Sequence, residues 1–146
     1  RDVAPSRGLG DVYKRQSLPD NPLFIDGNAE QLGKTIMSLL NNGMYAIAKK
    51  YGKKAYPAEI DLALESKDGQ AVIRLYDNGV GIEQSILDKI FDPFFTTKTT
   101  GEAAGIGLYL SKEIILNHHG QIAVRSEKDE LTEFTITLPL WEEKSV

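Results

Sequence analysis

Asp77-Asn78-Gly79-Val80-Gly81-Ile82 is the stretch on which the reading of this chain turns. It follows a run in which Ala71, Ile73 and Leu75 alternate with Val72, Arg74 and Tyr76, the period of a half-buried strand. It leads into a short helical pattern over about 83–90 that carries Ile86, Leu87 and Ile90. The acid therefore stands at the C-terminal end of a strand, where open α/β layers place ligands. Two glycines one residue apart let a backbone approach a ligand closely while one carboxylate faces it. A plain strand-to-helix turn has the same composition. The stretch takes its meaning from its surroundings.

Upstream, Pro22-Leu23-Phe24-Ile25 reads as a short edge strand, and Asp26-Gly27-Asn28 turns out of it. Asn28 is a helix cap, with Gln31 at the capping-box position, and the helix runs over 29–51. Leu32, Ile36, Leu39, Leu40, Gly43 and Ile47 form its apolar stripe. Asn42 shares a small, polar flank beside that stripe with Thr35, Ser38, Ala46 and Lys49, which suits a pocket lining or a solvated face. Gly52 and Tyr56-Pro57 end the helix. Ile60, Leu62 and Leu64 then mark a strand joined by a turn at Lys67-Asp68-Gly69 to the one that ends at Asp77.

Downstream, Phe91-Asp92-Pro93-Phe94-Phe95-Thr96-Thr97-Lys98 and the small residues after it read as a mobile loop anchored by its phenylalanines. Gly105-Ile106-Gly107-Leu108 opens a helix that Gly120 closes. Glycines at a helix start expose backbone N–H groups and the positive end of the dipole, which suits phosphate. A plain helix start reads the same way. Ile122 and Val124 mark one strand and Phe134, Ile136 and Leu138 another, joined by a charged turn over 127–130. The expected architecture is an α/β two-layer sandwich, with a mixed sheet of about five strands packed on three helices.

Composition narrows the function classes. The chain has 146 residues, 41% of them hydrophobic and 26% charged, enough for one domain with a core. A net charge of −4 argues against a nucleic-acid surface. Cysteine is absent, so disulfides and thiolate metal sites are excluded, and two adjacent histidines make a poor zinc site. No apolar run approaches the roughly 20 residues of a membrane helix. Ser6-Arg7-Gly8-Leu9-Gly10-Asp11-Val12-Tyr13-Lys14-Arg15-Gln16 resembles the read-through translation of a transposon-type sequencing adapter. Residues 1–16 are therefore expected to be non-native or disordered, with the domain proper at 17–146 and an upstream region lost.

Taken together, Asn42, the Asp77-Gly79-Gly81 turn, the phenylalanine-rich loop and the Gly105-Gly107 helix start resemble the N, G1, F and G2 boxes of the ATP-binding catalytic domain of sensor histidine kinases. The resemblance extends to the wider superfamily of gyrase, chaperone and mismatch-repair ATPases, and covers about 19–139. It implies that Asp77 accepts a hydrogen bond from the adenine amino group, with Gly79, Gly81 and Ile82 beside the ring. It implies Mg²⁺ held through the oxygen of Asn42, a hard-ion ligand. Gly105, Ile106, Gly107 and Leu108 are expected at the phosphates. A mobile ATP lid is expected over 92–104, with Phe94 or Phe95 as its tether and Lys98 near a phosphate.

The implied function is γ-phosphoryl transfer from Mg-ATP to a histidine on a separate dimerisation region, then to a response-regulator receiver domain. The parent is expected to be a homodimer whose catalytic part is cytoplasmic, with anchoring in the inner membrane an open matter. Neither His118 nor His119 is expected to be the phosphoacceptor, so this chain supplies positioning and charge stabilisation only. Ser38 stands where hydrolysing relatives carry a glutamate, and a hydroxyl is no general base at neutral pH. An ATP-hydrolysing module and a nucleotide-binding pseudokinase are the alternatives. Gly43 in place of alanine weakens the helix by roughly 1 kcal/mol, and Ala103 replaces the first glycine of the G2 box.

Overall fold

The computed structural model describes residues 3–5, 13–52, 57–93, 95 and 106–142. The elements run β1 (Val3–Pro5), β2 (Tyr13–Ser17), α1 (Ala29–Tyr51), β3 (Glu59–Lys67), β4 (Gln70–Asp77), α2 (Gln84–Leu87), α3 (Ile106–Asn117), β5 (Gln121–Glu127) and β6 (Leu131–Pro139). They form one six-stranded sheet in the order β1-β2-β3-β4-β6-β5. Only β2 and β3 run parallel; every other pair is antiparallel. The sheet is thus mixed, as expected, and the three helices cover one face of it.

Why these residues take these shapes is clear at several ends. Asn28 caps α1, its side chain accepting from Gln31 N–H at 2.9 Å. The β3–β4 turn has two central residues, Asp68 and Gly69, both at positive φ (53° and 76°), the two-residue turn that matches strand twist. At the end of α3 the Gly120 N–H returns to Ile115 O and the His119 N–H to Leu116 O, the paired bonds of a Schellman cap. His119 holds the left-handed position of that cap at φ 64°. A left-handed side-chain-bearing residue costs about 1–2 kcal/mol, partly offset because glycine loses more freedom on folding. His119→Gly should therefore raise the thermal midpoint by about 2–4 °C; a lower midpoint would refute this account of the cap.

The core lies between α1, α3 and the covered sheet face. Leu39, Leu75, Ile90, Ile115, Phe134, Ile136 and Leu138 are buried together. Strand register sets them in rows: Leu62, Leu75, Phe134 and Val124 stand opposite one another, and so do Leu64, Ile73, Ile136 and Ile122. The next row toward the end of β4 is Ile60, Asp77, Thr132 and Ser126. Residues directly opposite share a face with their Cβ atoms about 4.5–5.5 Å apart. The hydrophobic rows thus end in a polar one. The opposite face carries the Arg74–Glu65 and Arg125–Glu133 ion pairs.

Four expectations change. Residues 22–25 form no strand; Phe24 is exposed and its carbonyl accepts from Trp141 N–H at 2.7 Å, while Ile25 packs on the core. The edge beside β3, expected of residues 22–25, is taken instead by β2 (Tyr13–Ser17), with β1 (Val3–Pro5) paired outside it. Backbone pairing along an open edge needs no side-chain period, which is why periodicity did not find it. Thr35, placed on the polar flank of α1, is 1% exposed and donates to Gln31 O. The 83–90 helix shortens to one turn, Gln84–Leu87.

Candidate functional site

The polar row lies beside a cavity of about 500 Å³ between the helix layer and the strand ends. Helix α1 contributes Asn42, Tyr45, Ala46 and Lys49, whose i, i+3, i+4, i+7 spacing puts them on one stripe. The sheet end contributes Asp77 and Thr132, and the connection after β4 contributes Gly81 and Ile82. Phe95 and Leu108 complete its apolar lining.

Asp77 is 5% exposed, so its carboxylate sits in a poorly solvating place. Burial is the main cause that pushes its pKa up to about 6, against the opposing Gly79 N–H and the more distant charge of Lys50. Its Oδ1 accepts from Gly79 N–H at 2.9 Å. A Cβ added at Gly43 would lie 3.4 Å from Oδ2, so α1 passes close by this acid.

The Asp77–Ile82 turn is held from three sides. Asn78 seals it to the start of β3, its Oδ1 accepting from Glu59 N–H (2.7 Å) and its Nδ2 donating to Pro57 O (2.9 Å). Val80 N–H donates to Ala46 O on α1 at 3.2 Å. The β5–β6 turn grips the far side: Asp129 N–H donates to Val80 O, and Ile82 N–H to Ser126 Oγ at 2.8 Å. Lys50 Nζ donates to Asp129 O at 2.6 Å and to Asn78 O at 3.3 Å, joining α1 to both.

The two glycines do different jobs. Gly81 lines the cavity at φ +69°, and a Cβ there would collide with the Glu127 backbone. Gly79 does not line it; a Cβ there would lie 2.7 Å from Ala46 Cβ and 2.8 Å from Ala46 O, so its bareness lets the turn lie on α1. Asn42 donates its Nδ2 to Ser38 O at 2.9 Å, which leaves the amide oxygen as the group available to a ligand.

Of the residues singled out by the sequence, Asn42, Asp77, Gly81, Ile82 and Leu108 surround one cavity. Ile106 and Gly107 open α3. Phe94, Lys98 and Gly105 lie outside the described residues, as does most of the expected lid over 92–104. Phe95 is the described phenylalanine of that loop at the cavity, and Phe91 just before it meets Phe134 edge-on at 6.3 Å. Sequence reasoning missed Tyr45, Thr132, Lys128 and Asp129. Thr132 was findable, since strand pairing that aligns Leu75 with Phe134 sets Asp77 opposite it. His118 was also unread in its actual role. Its Nε2 accepts Asn28 N–H at 2.9 Å and its Nδ1 meets Ile114 O at 2.7 Å, so it fills the half of the α1 capping box expected of Gln31.

An α/β sandwich with a buried acid beside a cavity between its layers is the architecture of a ligand-binding domain. Residues 27–142 match the family of histidine kinase-, DNA gyrase B- and HSP90-like ATPases, and the chain belongs to it. Among curated relatives, the signal transduction histidine-protein kinase AtoS of Escherichia coli is 39% identical over 122 residues, covering 83% of this chain and 19% of that protein. Sporulation kinase D of Bacillus subtilis is 34% identical over 125 residues, 86% of this chain and 23% of that protein. The chain thus spans about a fifth to a quarter of these relatives' length. In fold it is similar to the catalytic domain of histidine kinase ThkA (TM-score 0.72, 22% identity, 88% of this chain and 78% of that one). The mycobacterial sensor histidine kinase MprB gives the same TM-score and identity, over 88% and 82%.

Proposed function

We propose that this chain is the ATP-binding catalytic domain of a two-component sensor histidine kinase, holding Mg-ATP for γ-phosphoryl transfer to a histidine on another region. The observation that carries the reading is the placing of Asp77 and Asn42 on opposite layers of one cavity large enough for a nucleotide. An ionised carboxylate only accepts hydrogen bonds, so Asp77 selects the amino group of adenine over the carbonyl that guanine presents at the same ring position. Gly81 and Ile82 flank the base, and Leu108 begins the approach to the phosphates at the start of α3, which Ile106 and Gly107 open.

The donor set fits magnesium in a particular way. Among the described residues no group of three or more His, Cys, Asp or Glu could hold a metal ion. Asn42 offers one neutral oxygen, which suits an ion that keeps water and phosphate oxygens as its other ligands. Bound there, Mg²⁺ would neutralise charge on the triphosphate. Ser38, one turn before Asn42, carries no carboxylate to activate water, so the phosphoryl acceptor must bring its own nucleophile. A histidine in a dimerisation helix does so, and a receiver domain is its downstream partner. No described helix is long and apolar enough to span a membrane; the reading places this domain in the cytoplasm, within a larger homodimer that an inner-membrane segment could anchor.

The test has two arms. Calorimetric titration should show Mg-ATP binding that Asn42→Ala weakens by about tenfold or more with Mg²⁺ present, and little changes in EDTA. Mixed with a separately made dimerisation-helix region, the domain should produce acid-labile phosphate on that region. Binding without transfer would favour the pseudokinase alternative, and steady phosphate release without the acceptor would favour the hydrolase.

A further inference from the structure

We propose that Ser126, on β5 and outside the cavity lining, is a specificity-determining residue that makes Thr132 an acceptor beside Asp77. The proposal rests on the adenine reading of the Asp77 end and concerns how that end tells an amino group from a carbonyl.

Ser126 is 2% exposed, and its hydroxyl has three partners. Ile82 N–H reaches Oγ at 2.8 Å, Leu131 O lies at 2.7 Å and Thr132 Oγ1 at 2.8 Å. A hydroxyl has one proton and two acceptor sites. Leu131 O can only accept, so it takes the Ser126 proton; Ile82 N–H can only donate, so it takes one acceptor site. The bond to Thr132 must then run from Thr132 to Ser126. Thr132, itself 4% exposed, has spent its proton and keeps only acceptor capacity.

Register makes this matter. Asp77, Thr132 and Ser126 are successive members of one cross-strand row, on the sheet face toward the helices. Asp77 and Thr132 both line the cavity, and both are acceptors. A ligand edge that donates, such as the exocyclic amine of adenine, fits this pair directly or through a shared water. A carbonyl at that position meets two acceptors and no donor. Were Ser126 unable to accept, Thr132 could turn its proton to the cavity and satisfy the carbonyl. The carbonyl of Ser126 also accepts from Gln84 Nε2 at 2.8 Å, so the backbone keeps one anchor when the hydroxyl is removed.

The experiment titrates Mg-ATP and Mg-ITP, which differ at purine position 6 by amine against carbonyl, into the 146-residue chain and its Ser126→Ala variant. The wild type should prefer ATP, and Ser126→Ala should shrink the ATP/ITP affinity ratio by about tenfold. A purely structural role would lower both affinities together. Thr132→Val, which removes the acceptor while keeping shape, serves if Ser126→Ala does not fold, and should shrink the ratio likewise. In the double variant the ratio should fall no further than in either single one. An unchanged ratio in a folded variant overturns the proposal. Failure of the wild type to bind ATP at all overturns the adenine reading instead.

Discussion

Asp77→Asn is expected to give a domain more stable at pH 7 and unable to bind ATP tightly. Both effects come from the same burial. The carboxyl's pKa rises from 3.8 to about 6 in the fold, so the folded state favours the protonated form. Stability from this group is greatest when it is protonated in both states, below about pH 4. It declines as pH rises, and above about pH 6 the whole cost is present. A shift of about two units corresponds to about 3 kcal/mol. Asparagine never carries the charge, so the variant should gain about 1–2 kcal/mol at pH 7 after its own amide is desolvated. The gain should vanish toward pH 4. A wild-type-minus-variant difference in urea midpoint that is flat between pH 4 and 7 would refute the argument.

The binding loss follows from counting acceptors. Asp77 has two oxygens, one already taken by Gly79 N–H. The second is the one left for an adenine amine. Asparagine offers one oxygen and an NH₂ group in place of the other, so it must desert either Gly79 or the base. An unmet buried donor costs about 1–3 kcal/mol, and a charge-assisted bond is lost as well. Affinity should fall by about 100-fold or more. In the wild type, ATP affinity should weaken below about pH 6 as the carboxylate is protonated; equal affinity of variant and wild type would sink the adenine role of Asp77.

Much of this fold was legible because local rules and the tertiary structure agree. The cap at Asn28 and the stop at Gly52 were readable, and α1 runs over 29–51 as read. Asp77 was placed correctly at a strand end because alternation runs up to it. What stayed hidden depends on partners distant in sequence. Thr35 reads as polar, yet its hydroxyl bonds back to Gln31 O and can enter the core. Ser126 sits 44 positions from Ile82, and its role rests on a bond across that distance, which no local pattern on β5 marks. Parallel pairing of β2 leaves no periodic trace, and His118 acts on a helix start 90 residues away.

Gly81→Ala should weaken nucleotide binding by about 100-fold and cost about 2–4 kcal/mol of stability. Residue 81 has φ +69°, where a side chain costs about 1–2 kcal/mol before any contact is counted. A Cβ there also meets the backbone of the β5–β6 turn, lying 2.8 Å from Glu127 C and 3.0 Å from Lys128 Cα. Flexible side chains could yield, but backbone paired in a hairpin cannot without breaking it. Nor can the Asp77–Ile82 turn retreat, since Gly79 already rests on Ala46 of α1. Relief requires the turn and hairpin to part, which breaks the Ile82 N–H to Ser126 Oγ bond and the Asp129 N–H to Val80 O bond. The turn proposed to flank the base then loses its position, so ATP affinity should fall by about 100-fold even where the variant is fully folded. Gly43→Ala is the control. Its Cβ meets Asp77 at an ordinary 3.4 Å, and alanine favours the helix by roughly 1 kcal/mol. Thermal midpoint and ATP titration on the two variants separate the effects; a folded Gly81→Ala domain that binds ATP as tightly as Gly43→Ala would show that the hairpin does not position the base wall.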